Sequence, residues 1–321
     1  MATNLLLAPE IRQAYDRRLL QRFRTSTVFN KFGLQKSIPP GYGVNLSWRR
    51  MESIRPVAVA SSTWPSDAVY TLATGVVLTE GTFLVPAVQA SWYQTTATVR
   101  QYGQAAYISD MDIEQAIDPQ VSEYVDNLSE AMTELLDLIT RDVLVAATTI
   151  QYVNGRASTS AIISGDFLNL MELRKAKRTL KDNNAKPVED GKFVVLVHPD
   201  VLYDLEGDSN ITNLWHYGGA GKNQEQIFDT TFKDLPLGFR VYESSIVPIT
   251  RASGYGDVYN TFVLGAEAYG TAKLETMPAK IIVHLPGEAG VADPLDQVAT
   301  VGWKANFACA ILNQNNLVLV L

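Results

Sequence analysis

A single apolar stripe from Val121 to Val143 most constrains what this chain can fold into. Val121, Tyr124, Val125, Leu128, Met132, Leu135, Leu136, Ile139 and Val143 recur at steps that put them on one face of a helix. Asp118 and Pro119 supply its start, an Asp N-cap followed by a proline where the missing N–H costs nothing. The pattern predicts a helix from about 119 to about 149, roughly 45 Å long at about 1.5 Å per residue. Most globular helices run only about 8–20 residues. A longer one acts as a spine for whatever packs along it. Glu123, Asp126, Glu130, Glu134 and Asp137 fall mostly on other faces, with Glu130 expected on the outer one.

Ahead of the spine the pattern changes. Residues 10–24 place Ile11, Ala14, Tyr15, Leu19 and Phe23 near helical spacing, which predicts a short amphipathic helix. Its leader ends in Ser37-Ile38-Pro39-Pro40-Gly41-Tyr42-Gly43, read as loop because consecutive prolines and glycines break regular structure. Val44, Leu46 and Trp48 then alternate with polar residues as a strand does, and Thr95 to Ser109 is a second β-rich stretch. Between them, Pro56, Pro65, Gly75, Gly81 and Pro86 interrupt a long segment without helical periodicity. Such a segment needs a partner to order it. It reads either as a loose surface excursion or as a projecting hairpin that packs on a neighbouring subunit.

Beyond the spine the chain mixes helices and strands, an α+β pattern. A helix is predicted from Gly165 to about Asp182, presenting Phe167, Leu168, Leu170, Met171, Leu173 and Leu180. Phe193 to Val197 is a five-residue apolar run, the mark of a strand buried on both faces. His198-Pro199-Asp200 opens a short helix over Val201–Leu205, and residues 206–235 are loop-rich. Strands follow at 239–242, 261–264 and 280–284, then a long half-buried strand in which Val301, Trp303, Ala305, Phe307, Cys309 and Ile311 alternate with smaller or polar residues. Asn313 to Asn316 turns the chain into Leu317–Leu321, five apolar residues that must bury against something.

Charge is distributed unevenly. Residues 1–50 hold nine Lys/Arg against two acids, whereas residues 101–150 hold ten acids and one base, Arg141. A basic arm before an acidic body suggests partners of opposite sign, either other copies of the chain or nucleic acid. The hydrophobic fraction of 46% and charged fraction of 19% fit a globular chain, and no apolar run has the length of a membrane span. Met1–Leu7 lacks the basic lead and cleavage site of a signal peptide. The single Cys309 excludes an intrachain disulfide framework and fits a reducing cytoplasm.

The chemistry-bearing motifs fail one by one. Gly218-Gly219-Ala220-Gly221-Lys222-Asn223 suggests a phosphate loop, but His216 stands where the first glycine belongs and Asn223 where Ser or Thr would bind magnesium. Asp110, Asp112 and Glu114 open like a calcium loop that lacks its glycine and its closing Glu. His216 and His284 stand far from His198 in sequence, which disfavours a histidine metal cluster. Cys309 sits on the apolar face of a strand as a small core residue, and His198 is expected to cap or bond a turn. The expectation is no catalytic, cofactor-binding or metal-binding residue, and no enzyme.

An ordered series of segments resembles the N4-type family of phage major capsid proteins. It includes Tyr15-Asp16-Arg17-Arg18-Leu19-Leu20, Phe32-Gly33, Ile38-Pro39, Val99-Arg100-Gln101-Tyr102-Gly103 and Ser109-Asp110. It continues through Ala116-Ile117-Asp118-Pro119, Asp137, Arg141-Asp142-Val143-Leu144, His198-Pro199-Asp200, Tyr203-Asp204-Leu205, Gly238-Phe239-Arg240, Leu264-Gly265, Ala268-Tyr269-Gly270, Gly302-Trp303-Lys304-Ala305 and Ile311-Leu312-Asn313. The resemblance implies an α+β chain with the Hong Kong 97-type coat fold. On this sequence that means an N-terminal arm at 1–42, an extended hairpin at 43–107, a peripheral domain at 108–189 on the spine helix, an axial domain at 190–275, and a return to the peripheral domain with a C-terminal strand at 276–321. It also implies a virion protein, assembled in the bacterial cytoplasm into pentamers and hexamers that enclose double-stranded DNA. Its partners would be itself, portal, scaffolding and cement proteins, and packaged DNA without sequence specificity, with no membrane and no cofactor. The stretch between Ser61 and Ser91 is longer than expected for that family, and no residue pair suggests a covalent crosslink. An encapsulin-like cellular shell and an enzyme or ligand-binding protein of unrelated fold are the alternatives.

Overall fold

The computed structural model describes residues 27–51, 80, 92–116, 120–163, 165–209, 233–235, 238–252, 256–277, 279–288 and 295–321. Outside them lie the predicted helix at 10–24, most of the proline-broken stretch, the Asp118-Pro119 start and the Gly218–Asn223 loop.

Two sheets organise these residues. The first strand, β1 (Leu34–Ile38), runs parallel to a strand more than two hundred residues away. It overturns the reading of Ser37 and Ile38 as loop, because its pairing partner rather than its own pattern makes it a strand. After the Pro39–Gly43 turn, β2 (Asn45–Met51) pairs antiparallel with β3 (Trp92–Thr98), from Asn45↔Thr98 to Met51↔Trp92. They form the stem of a hairpin. β4 (Arg100–Ser109) leads straight into α1 (Asp110–Gln115), whose N-cap is Ser109 accepting from Asp112 N at 3.1 Å. Asp110, Asp112 and Glu114 therefore sit on this short helix rather than in a loop.

The spine is α2 (Gln120–Val145), 26 residues. It stops four residues short of the predicted end, where Thr148 N and Thr149 Oγ1 bond Gln314. Its apolar face lies against β14 (Val298–Ile311), the central strand of a five-stranded sheet ordered β1-β12-β14-β13 with β4 also on β14. Trp303, Val301, Ala299 and Ala305 pack with Leu128 and with the partly buried Val121, Val125, Met132, Leu135 and Leu136. Gly103 is needed where β4 passes β14, since a Cβ there would stand 2.9 Å from the Trp303 carbonyl oxygen. Glu130 is half-buried rather than on a free outer face, and Asp137 is buried.

The second sheet has six strands in the order β5-β15-β11-β6-β8-β7. It comprises β5 (Ile150–Gln151), β6 (Phe193–Val197), β7 (Lys233–Leu235), β8 (Phe239–Glu243), β11 (Thr261–Leu264) and β15 (Leu317–Val320). β9 (Ile249–Ala252) and β10 (Gly256–Tyr259) form a small separate hairpin. β6 is buried throughout, as its uninterrupted apolar run requires. Phe193, Val195 and Val197 meet α3 (Leu170–Asp182) and α4 (Pro199–Glu206), while Val194 and Leu196 face Phe262, Leu264 and Phe29. The apolar chain end is β15, held inside this sheet between β5 and β11.

α3 starts later than predicted, at Asn169, whose side chain accepts from Glu172 N at 3.0 Å. Asp166 instead closes a turn by accepting from Ile163 N, Asn154 and Arg156, so Phe167 stays exposed. Met171, placed on the buried face by its spacing, is exposed as well. His198 caps α4 through Nδ1, which accepts from Asp200 N at 3.3 Å. The sheets share strand traffic: β12 (Tyr269–Leu274) leaves β11 to join the five-stranded sheet, and β15 leaves β14 to join the six-stranded one. β13 (Ala279–His284) lies at an edge of the first sheet.

Candidate functional site

The features that reach beyond the fold are surfaces. At the joint between the two sheets, the segment from Val28 to Phe32 is locked by groups from far along the chain. Asp137 of α2 accepts from Val28 N at 3.0 Å and from Asn30 N at 2.8 Å. The Tyr269 hydroxyl donates to the Phe29 carbonyl oxygen and accepts from Phe32 N at 3.2 Å. Phe29 is fully buried and meets Phe262 edge-on at 5.6 Å, and Phe32 lies 4.8 Å from Tyr242. Gly33 leaves room for the Tyr269 ring, which a Cβ would enter.

Burial sets the electrostatics of this joint. It pushes the Asp137 carboxyl above its ordinary value, against the pull of the backbone N–H groups and of Lys31. It pushes the Cys309 thiol up to about 12, with Thr140 hydrogen-bonded to it. A thiol that resists ionisation is a poor nucleophile, in keeping with its reading as a core residue. Asp137, Thr140 and Tyr269 were missed as a set in the sequence. Asp137 sat among acids assigned to other faces, and nothing local marks a carboxylate that will cap a segment more than a hundred residues away.

The hairpin stem is the second surface. One side is polar, with Ser47 and Thr96 hydroxyls 2.9 Å apart and Thr98 donating to Asn45 at 2.8 Å. Leu46 and Trp48 lean on Ile38, Ala97, Val99, Ala272 and Ala308. At its far end Met51, Trp92 and Tyr93 are exposed together, Trp92 to 68%, and the Arg50 guanidinium lies over the Tyr93 ring at 5.5 Å. Clustered exposed aromatics of this kind mark contact surfaces. At the opposite end of the stem, Tyr42 is 78% exposed on the turn that precedes β2. A third surface is the edge strand β13, which leaves Ile281 and Val283 exposed.

The residues singled out for chemistry stay apart. His198 stacks on Tyr259 at 4.5 Å as part of the α4 cap, Cys309 lies in the joint, and Asp110, Asp112 and Glu114 share only α1. Asp166 is drawn well below the ordinary carboxylate range by Arg156, with Asn154 and Ile163 N assisting, which is a structural ion pair beside a turn. Among the described residues, what the fold presents is a long helix under a five-stranded sheet, an exposed hairpin stem and a pinned segment at Val28–Phe32.

Comparison with known proteins gives the family. A family model described as phage capsid protein matches residues 92–316. The chain belongs to the phage capsid protein family. No curated protein matches. Among solved structures, the capsid of Ralstonia phage GP4 aligns with a TM-score of 0.70 at 12% identity, covering 100% of this chain and 97% of that one. The capsid asymmetric unit of cyanophage Pam1 aligns at 0.69 and 12% identity, covering 100% and 99%. The capsid of cyanophage P-SCSP1u aligns at 0.68 and 16% identity, covering 97% and 92%. At such identities the likeness is one of fold.

Proposed function

We propose that this chain is the major coat protein of a tailed bacteriophage, which self-assembles into pentamers and hexamers to form the icosahedral head around double-stranded DNA. Membership of the phage capsid family, with capsid folds aligned over its whole length, carries the reading. The exposed aromatics at the end of the hairpin stem support it, since a subunit that tiles a shell keeps apolar surface for its neighbours.

In this reading the fold is of the Hong Kong 97 type and the subfamily N4-like. The arm is residues 1–42, the extended hairpin 43–107, the peripheral domain 108–189, the axial domain 190–275, and the return with the C-terminal strand 276–321. β12 is then lent by the axial region to the peripheral sheet, and β15 by the return segment to the axial one. The subunit acts by contact rather than catalysis. Its partners are further copies, portal, scaffolding and cement proteins, and DNA held on the inner face without sequence preference. It resides in the virion after assembly in the host cytoplasm.

Electron microscopy of the expressed protein tests this directly. Closed icosahedral shells or capsomer rings are expected. A monodisperse monomer that forms no assembly under any salt or crowding condition would overturn the proposal.

A further inference from the structure

We propose that copies of this chain associate head to tail, the basic outer face of α3 in one copy seating in the aromatic groove beside α4 of the next, so that repetition closes a ring. The contact rests on the coat-protein reading and lies within its capsomers. The groove, of about 580 Å³, is open to solvent and lined by Asn154, Phe167, Leu168, Tyr203 and Asp204. Phe167 is exposed in it, and Tyr203 is exposed to 78%. Two large rings left in one groove mark a contact surface. The surroundings are acidic. The Tyr259 hydroxyl nearby, pushed up to about 12 by its bond to Asp200 and by burial, also feels Asp257 and Asp204. Burial and then Asp200 raise the Asp204 carboxyl. A cation from outside the subunit is the charge this groove lacks.

The complement is on α3. Met171, Arg174, Arg178 and Lys181 follow at steps of three and four residues, so they share one face, and all four are exposed. Leu173, Ala176 and Leu180 turn the other way, into the core on the six-stranded sheet. The exposed stripe is apolar at one end and basic along the rest, which matches a groove that offers rings and carboxylates. Its basic end is held away from its own groove. Lys177 lies over the Phe239 ring at 5.4 Å, and Phe239 pairs with Phe193, where β6 begins. α4 and the groove lie beyond Val197, where β6 ends. The two surfaces therefore stand toward opposite ends of one packed sheet, and only another copy brings them together. Two different complementary patches on one molecule give heterologous association, which forms rings when the rotation per step closes.

Two variants of the full-length chain each block one surface: Arg174→Glu with Arg178→Glu on α3, and Tyr203→Ala with Asp204→Arg in the groove. All four positions are exposed, and near-UV circular dichroism checks each fold. By sedimentation velocity the wild type should form rings or larger assemblies, and each variant alone should associate at least about tenfold more weakly. An equimolar mixture of the two should give dimers and nothing larger. One intact α3 then meets one intact groove, and the remaining two ends are blocked. A variant that assembles like the wild type, or a mixture that stays monomeric, would overturn the proposal. Should either variant fail to fold, a zero-length carboxyl–amine crosslinker on wild-type assemblies decides. A link between copies from Lys181 to Asp200 or Asp204 is expected, and its absence would overturn the contact. A wild-type chain that stays monomeric throughout would instead overturn the coat-protein reading, and this contact with it.

Discussion

Removing the Asp137 carboxylate is the sharpest perturbation of the joint. In Asp137→Ala the N–H groups of Val28 and Asn30 lose their acceptor. Each buried donor left unsatisfied costs about 1–3 kcal/mol, partly offset by no longer desolvating a charge, for a net loss of about 2–4 kcal/mol. For a chain of this size that lowers the melting temperature by about 4–8 °C. Differential scanning calorimetry of the unassembled subunit measures it, and hydrogen exchange at the amides of residues 28–32 should accelerate in parallel. Asp126→Ala, an exposed acid on the same helix, serves as the control and should cost under about 0.5 kcal/mol. The pH dependence carries a sign. The folded Asp137 value lies above its ordinary 3.8, so the folded chain holds this proton more tightly than the unfolded one. Its contribution is complete below that pH and is lost as pH rises through the raised folded value. Asp137→Asn should flatten the stability profile across that window. A melting temperature for Asp137→Ala within about 1 °C of wild type, with unaltered exchange at 28–32, would refute the reasoning that this carboxylate anchors the segment.

The remaining predictions concern packing and assembly. Leu144→Ala, at a site with no exposure, should cost about 2–5 kcal/mol by urea denaturation, whereas half-buried Leu135→Ala should cost about half as much. Equal losses would mean that the two faces of α2 are misjudged. Gly103→Ala forces a Cβ to 2.9 Å from the Trp303 carbonyl oxygen and should cost about 1–3 kcal/mol, read by thermal melting against a neutral Ala105→Ser control. Deleting residues 56–90 should leave a soluble, folded subunit that forms no closed shell in electron micrographs. Normal shells from that deletion would show that the segment plays no part in closure.

Periodicity made some elements legible from the chain alone. α2, the two-faced apolar run of β6, the alternation of β14 and the apolar terminus β15 each carry their burial pattern in consecutive residues, because a helix stripe or a strand face is a local property. The long strand and the long helix were thus each expected from the sequence, whereas their packing on one another was not. The structure decided what depends on distant chain. β1 is a strand because β12 lies beside it, and the Pro39–Gly43 turn that follows concealed it. α3 begins at Asn169 because Asp166 is spent on closing a turn with Arg156. Leu135 and Ile139 sit mid-stripe yet stay half-buried, since a sheet covers only part of a helix's circumference. Asp137 looks like its exposed neighbours in sequence. Val28 and Asn30 lie against it across more than a hundred residues of chain, and contact with a remote segment leaves no mark on local spacing.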